Sequence, residues 1–180
     1  MRRISILFQL AIVSAFAWSF AKNGQPMTDT TIGGLRMELR VLPAEPFFTK
    51  NEVTAGKVTQ GMLAMGGEKP LALDAEPHPN HHLVIHLFDV KTGKAYTNAK
   101  VKMSFQHLDS SGRAYGNVME VPVVIMQAIG KGVQSTHYGN NVVIADGQYI
   151  VPVVVNGKKI SFKINPTSTT DASMDGMNMQ

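Results

Sequence analysis

Short segments in which apolar and polar residues alternate recur along most of the chain, and strong helical periodicity is missing. A period of two is typical of half-buried β-strands. The predicted strands are residues 35–42, 61–65, 82–90, 99–108, 118–126, 137–145, 148–155 and 159–164. Turn residues separate most of them. The pattern predicts an all-β protein, an antiparallel immunoglobulin-like β-sandwich of about seven to eight strands.

Two dipeptides and one proline refine this prediction. Asp146-Gly147 and Asn156-Gly157 favour tight hairpins, so the last three strands are predicted to form a meander. Pro122 lies inside the 118–126 segment. Because proline donates no ladder hydrogen bond, it indicates a bulge or an edge strand there.

Both ends of the chain differ from the strand pattern. Two arginines, an apolar run over residues 4–20 and the small residues Ser19 and Ala21 have the three-part form of a secretory signal peptide. An uncleaved membrane anchor is the alternative. We therefore expect a cleaved signal peptide (1–21) and a periplasmic protein. The mature chain is divided into a flexible lead-in (22–34), one β-sandwich domain (35–166) and a Met-rich flexible tail (167–180).

Composition narrows the function classes. The 180 residues are 44% hydrophobic and 17% charged, which suits one folded domain with an apolar core. The chain has no Cys, which excludes thiolate chemistry, Cys-based zinc sites and iron–sulfur clusters. The formal net charge is only +4 and the chain has no dense run of Lys and Arg, so we expect that it does not bind nucleic acid. No G-x-S-x-G, H-E-x-x-H or Gly-rich phosphate loop is present, so we expect no enzyme.

Histidine and methionine are abundant, with 6 and 11 residues respectively. The histidines are His78, His81, His82, His86, His107 and His137. On a strand, His82 and His86 share one face and His81 points to the other. His107 lies near the end of the following predicted strand, and His137 begins a later one.

These residues suggest a metal site. Imidazole nitrogen is the commonest protein ligand of transition metals, and thioether sulfur favours Cu(I). The predicted ligands are His82, His86 and His137, with Met126 as a soft ligand and His78, His81 and His107 at the rim. The plainer interpretation is that the methionines fill the core and the histidines belong to a polar loop.

Three further methionines lie at the end of the predicted tail: Met174, Met177 and Met179. A flexible tail has no core to fill, so these thioethers are candidates for weak Cu(I) capture. Chance composition is the alternative explanation.

The run from His137 to Val142 (H-Y-G-N-N-V) and the strand that begins His82-Leu83 carry a family resemblance. They resemble periplasmic metal-binding proteins associated with bacterial high-affinity iron uptake. The resemblance implies an immunoglobulin-like sandwich in which His82 and His137 are metal ligands from separate strands, with Met126 nearest to the family's Met ligand. A later His of that family has no counterpart here.

Two functions follow as hypotheses. The first is a non-enzymatic periplasmic metal-binding protein that acts in metal handling or uptake. Its metal is expected to be copper, and the alternatives are iron or another first-row transition metal. An inner-membrane metal permease would be its partner. The second is a metal-free adaptor or interaction module for a transporter or an envelope complex. The sequence leaves the oligomeric state open, a homodimer included.

Overall fold

The computed structural model describes residues 28–56 and 58–167. It contains eleven β-strands, one short α-helix, α1 (Lys50–Thr54), and a 3-10 turn at Val133–Ser135. The strands are β1 (Thr28–Ile32), β2 (Leu35–Pro43), β3 (Phe47–Phe48), β4 (Met62–Gly67), β5 (His81–Asp89), β6 (Val101–Leu108), β7 (Ala114–Val121), β8 (Val124–Ala128), β9 (His137–Val142), β10 (Tyr149–Val155) and β11 (Lys158–Ile164). The predicted signal peptide and nearly all of the Met-rich tail lie outside the described residues.

The strands form two sheets. One has seven strands in the order β1-β2-β5-β9-β8-β4-β3, and the other has four in the order β11-β10-β6-β7. All pairings are antiparallel except that of β3 with β4. Alternate residues of both sheets meet in one core, which is represented by Ile85 of β5, Met103 of β6 and Val151 of β10. The expected all-β antiparallel sandwich is confirmed, with more strands than the sequence predicts.

Two hairpins have two-residue turns. Asn156-Gly157 joins β10 to β11 in the predicted tight hairpin, with positive φ at both turn residues (50° and 81°). Gly33-Gly34 joins β1 to β2 in the same way, with φ of 58° and 81°. The predicted flexible lead-in includes Thr28–Ile32, yet these residues pair with β2, because a strand partner can order a polar segment that has no apolar pattern of its own.

Two predictions of connectivity are wrong. The predicted strand 118–126 is divided at Pro122 into two: β7, which does lie at the edge of the four-stranded sheet, and β8, which belongs to the seven-stranded sheet. Asp146-Gly147 makes no hairpin, since β9 and β10 lie in different sheets. The loop 143–148 crosses between the sheets and contributes the buried Ile144 to the core. A local turn signal cannot show whether the next strand returns to the same sheet.

The outer face of the seven-stranded sheet is covered. A second apolar cluster lies there, away from the main core, formed by Met62, Val84, Val124 and Met126. Phe47 of β3 packs against it. The chain between β2 and β5 thus shields a sheet face that in many sandwiches is exposed.

In the part of the chain that the structure describes, no helix has the length and apolar character needed to cross a bilayer.

Candidate functional site

Strand β5 divides its side chains between two environments. Leu83, Ile85 and Leu87 belong to the main core. His82 and His86 point to the opposite, outer face, where Val84 between them joins the second apolar cluster. The predicted pairing of His82 and His86 on one face therefore agrees with the strand that forms.

Strand β9 brings the third histidine to the same face. His137 lies directly opposite His86 on β5 and directly opposite Met126 on β8. The next residue, Tyr138, points into the main core, where its hydroxyl donates to the Tyr96 carbonyl at 2.9 Å. Anchoring Tyr138 inside fixes which residues of the H-Y-G-N-N run point outside.

The site is buried. His82 is 0% exposed, His137 3% and Met126 0%. The Phe47 ring lies 5.7 Å from the His82 ring, centroid to centroid, and is tilted against it. Imidazole and thioether groups are thus enclosed by apolar side chains, in an environment of low dielectric constant.

A hydrogen bond fixes the tautomer of His82. Its Nδ1 lies 2.9 Å from Oδ1 of Asn141. The Asn141 amide nitrogen donates to the carbonyls of Glu45 and Leu71, and its Oδ1 accepts from the Glu45 backbone N–H. Because Asn141 Oδ1 is an acceptor, Nδ1 of His82 carries the proton and Nε2 of the neutral ring bears a free lone pair.

His137 is oriented in the same way. Its Nδ1 lies 2.7 Å from the carbonyl oxygen of Ser135, which can only accept. The neutral ring therefore has its proton on Nδ1 and a lone pair on Nε2. The two Nε2 atoms, of His82 and His137, face each other at 3.4 Å. Two acceptors at this distance make no hydrogen bond with each other and together favour a cation between them.

Protonation is disfavoured at all three rings. Burial, followed by the charge of a protonated His137, lowers the pKa of His82 to about 4. Burial, then His137 and the Arg40 guanidinium, lowers the pKa of His86 to about 3. Burial likewise lowers the pKa of His137, against its hydrogen bond to Ser135. At neutral pH the rings are uncharged, as metal ligation requires.

His86 lies beside the pair without joining it. Its ring centroid is 4.8 Å from that of His137, and it stacks on Phe88 at 6.2 Å. Within residues 28–56 and 58–167, no three His, Cys, Asp or Glu side chains are arranged to hold a metal ion as they stand. The structure therefore brings together two facing imidazoles, with His86 and the thioether of Met126 on either side of His137.

Charged residues border the site on β2. Glu38 lies opposite His86, and Arg40 lies opposite Val84, between His82 and His86. Arg36 and Arg40 both form ion pairs with Glu38, the latter at 2.7 Å. The Nε atom of Arg40 is buried without a hydrogen-bond partner.

The other predicted histidines lie elsewhere. His78 is exposed, with its Nε2 2.9 Å from Glu76. His81 points away from the pair, and its buried Nδ1 has no partner; burial lowers its pKa, against a hydrogen bond to the Thr167 backbone. The prediction that His107 borders the site is not met, because β6 belongs to the other sheet. There His107 lies 3.0 Å from the Tyr149 hydroxyl.

Sequence reasoning missed the residues that orient the site. Asn141, Arg40 and Phe47 were not predicted to have any role in it. One signal was available: an amide side chain in the middle of a predicted strand is unusual and needs partners when buried. Neither the capture of Asn141 by a distant loop nor the position of Arg40 follows from local pattern.

Fold and site together define an all-β sandwich with a buried histidine pair on the outer face of its larger sheet. No protein-family model matches the chain, and no curated protein does. A solved structure similar to it is that of a DUF4426 family protein from Pseudomonas aeruginosa PAO1. It has 13% sequence identity and a TM-score of 0.40, covering 82% of this chain and 98% of that one. A likeness of this size carries no argument about function.

Proposed function

We propose that this protein is a non-enzymatic metal-binding protein that holds a copper ion between His82 and His137. The observation that carries the proposal is the facing pair of Nε2 atoms at 3.4 Å, each with its Nδ1–H engaged by an acceptor. Acceptors on the far side of a ring orient metal-ligating histidines in this way. Without a cation, the same arrangement leaves two buried lone pairs unsatisfied.

The spacing suits a shared ion. Two nitrogens that each lie about 2.1 Å from a metal, at a tetrahedral angle, are about 3.4 Å apart. The 3.4 Å between Nε2 of His82 and Nε2 of His137 matches this separation, so a small rotation of the rings would aim both nitrogens at an ion. Met126 and His86, which lie opposite His137 on the neighbouring strands, are positioned to supply a third ligand after a change of rotamer.

The donor set favours copper. Neutral imidazole binds several first-row metals, whereas a thioether selects Cu(I). Carboxylate ligands, which suit harder metals, are not free at the pair, because Glu38 is held by two arginines. Export to the periplasm, a role in metal handling or uptake and a permease partner belong to the same proposal and rest on the sequence.

The test is calorimetric titration of the mature protein with Cu(II), and with Cu(I) under reductant. We expect one copper ion per chain. Replacing both ligands, His82→Gln with His137→Gln, removes the nitrogens that bind and should weaken copper affinity by at least about 100-fold. His78→Gln, which changes an exposed histidine away from the pair, is the matched control and should bind like the natural protein.

Equal copper affinity in the double variant and the natural protein would overturn the site. Failure of the natural protein to bind Cu, Zn, Mn or Fe, with no rise in melting temperature on metal addition, would instead favour the metal-free adaptor.

The tail supports a second measurement. The backbone of Thr167, the last described residue, lies against His81, the neighbour of His82 at the start of β5. Met174, Met177 and Met179 follow Thr167 by only seven to twelve residues along the chain, and this short tether is what supports a role in delivering metal. Deleting residues 173–180 should leave the melting temperature unchanged and slow Cu(I) loading at limiting metal, as followed by stopped flow. Equal loading rates would show that the tail takes no part.

A further inference from the structure

We propose that the histidine pair selects the cuprous over the cupric ion, and that Arg40 is a residue that sets this preference. The inference rests on the proposed copper site and deepens it. It starts from three features of the outer face: an uncharged donor set, a fixed positive charge beside it and the exclusion of water.

The donors carry no charge. His82, His137 and Met126 are neutral when they bind, so nothing in the set offsets the charge of the ion. Glu38 is the carboxylate nearest in register, opposite His86. Its side chain is 7% exposed, and both of its oxygens are engaged, one by Arg36 and the other by Arg40. The negative charge of Glu38 is therefore already balanced by two guanidinium groups.

Arg40 adds a positive charge that cannot be removed. It lies opposite Val84 on β5, between the positions of His82 and His86 and on their side of the sheet. Arginine stays protonated at every physiological pH. The Nε atom of Arg40 is buried without a hydrogen-bond partner on this covered face. An ion bound by the pair therefore meets the repulsion of a positive charge at the neighbouring register position.

Burial increases the difference between the two ions. The cost of transferring an ion from water to a medium of low dielectric constant grows with the square of its charge, so a divalent ion costs about four times as much as a monovalent one of equal size. Cu(II) also prefers tetragonal sites with nitrogen, oxygen or water ligands, and Cu(I) accepts few, soft ones. A site with His82 at 0% and His137 at 3% exposure leaves little access for added water ligands.

The test compares the affinities of the natural protein for Cu(I) and Cu(II), measured by competition with chelators of known affinity for each ion. The expected result is preferential binding of Cu(I). Its thermodynamic equivalent is a reduction potential of bound copper above that of the aquated couple, measured by redox titration. A potential at or below that of the aquated couple would overturn the inference even if copper binds tightly.

Variants separate the role of Arg40. Arg40→Gln removes the charge and should shift the Cu(I)/Cu(II) affinity ratio at least tenfold towards Cu(II), equivalent to a fall of about 59 mV in the one-electron potential. Arg40→Lys retains the charge and should preserve the ratio. Arg36→Gln is a matched control, because it also removes a partner of Glu38 but lies opposite Phe88, further from His82. Arg40→Met serves if the glutamine variant does not fold.

The outcomes distinguish this inference from the proposed function. If no form of the protein binds either copper ion, the copper site itself is wrong. If copper binds with the same ratio in Arg40→Gln and in the natural protein, the site stands and the role of Arg40 fails. If Arg36→Gln shifts the ratio as much as Arg40→Gln, the release of Glu38 and not the charge of Arg40 sets the preference, which also overturns the assignment.

Discussion

Replacing Gly139 with alanine is expected to destabilise the domain by about 3–5 kcal/mol. Gly139 lies opposite Val84 on β5, at the centre of the covered outer face. A Cβ atom built there would lie 2.0 Å from the Leu83 carbonyl oxygen and 2.8 Å from the Val84 Cα. Both are backbone atoms of a central strand, so they cannot move aside as a flexible side chain would.

The same glycine shapes the site. It lies between His137 and Asn141 on the outer face of β9, and the absence of a side chain there lets β9 approach the β5 backbone that carries His82. Gly139→Ala should therefore widen the β5–β9 spacing and separate the two nitrogens. A loss of copper affinity is expected together with the loss of stability.

Thermal unfolding measures the effect. About 1 kcal/mol shifts the melting temperature of a domain of this size by about 2–4 °C, so a fall of roughly 10 °C is expected for Gly139→Ala. Gly116→Ala is the matched control. It introduces the same methyl group at a glycine of positive φ (72°) with open space around it, and only the backbone cost of about 1 kcal/mol applies. Equal melting temperatures for the two variants would show that the β5–β9 contact is not tight.

The metal-free domain is expected to lose stability as the pH falls from about 6.5 towards 4. The pKa of His82 is about 4 and that of His86 about 3 in the folded protein, against 6.5 for a free histidine. Below pH 6.5 the unfolded chain therefore binds protons that the folded chain does not. Linkage makes the free energy of unfolding fall with pH, by about 3 kcal/mol for His82 alone. Above pH 6.5 the histidines are neutral in both the folded and the unfolded chain, so none of this stability is lost there.

Urea unfolding at a series of pH values, in the presence of a chelator, measures this slope. His82→Phe keeps an aromatic ring against Phe47 but cannot be protonated, so its stability should fall less steeply between pH 6.5 and 4. His78→Gln, an exposed histidine outside the pair, should retain the slope of the natural protein. Equal slopes for His82→Phe and the natural protein would contradict the assignment of the acid-sensitive step to the buried pair.

The strands were predictable where one face is buried and the other polar. Residues 35–42 and 148–155 alternate because their two faces meet different environments, and β2 and β10 form over nearly those residues. Register was partly predictable too, since Asn156-Gly157 fixes the β10–β11 hairpin locally. The assignment of strands to sheets was not, because it depends on whether residues such as Pro122 and Ile144 cross between the layers.

Part of the site can be found from residue order and part cannot. The period of a strand places His82 and His86 on one face, and that holds for any register with the neighbouring strands. The meeting of His82 with His137 depends on the pairing of β5 with β9, between residues 55 positions apart. The chemistry of the meeting depends on still more distant contacts: the Glu45 and Leu71 backbones that orient Asn141, and the strand that places Arg40. Local pattern encodes which side chains share a face, whereas tautomer, burial and charge arise from non-local packing. For this reason only the folded sandwich reveals two buried imidazole nitrogens that face each other.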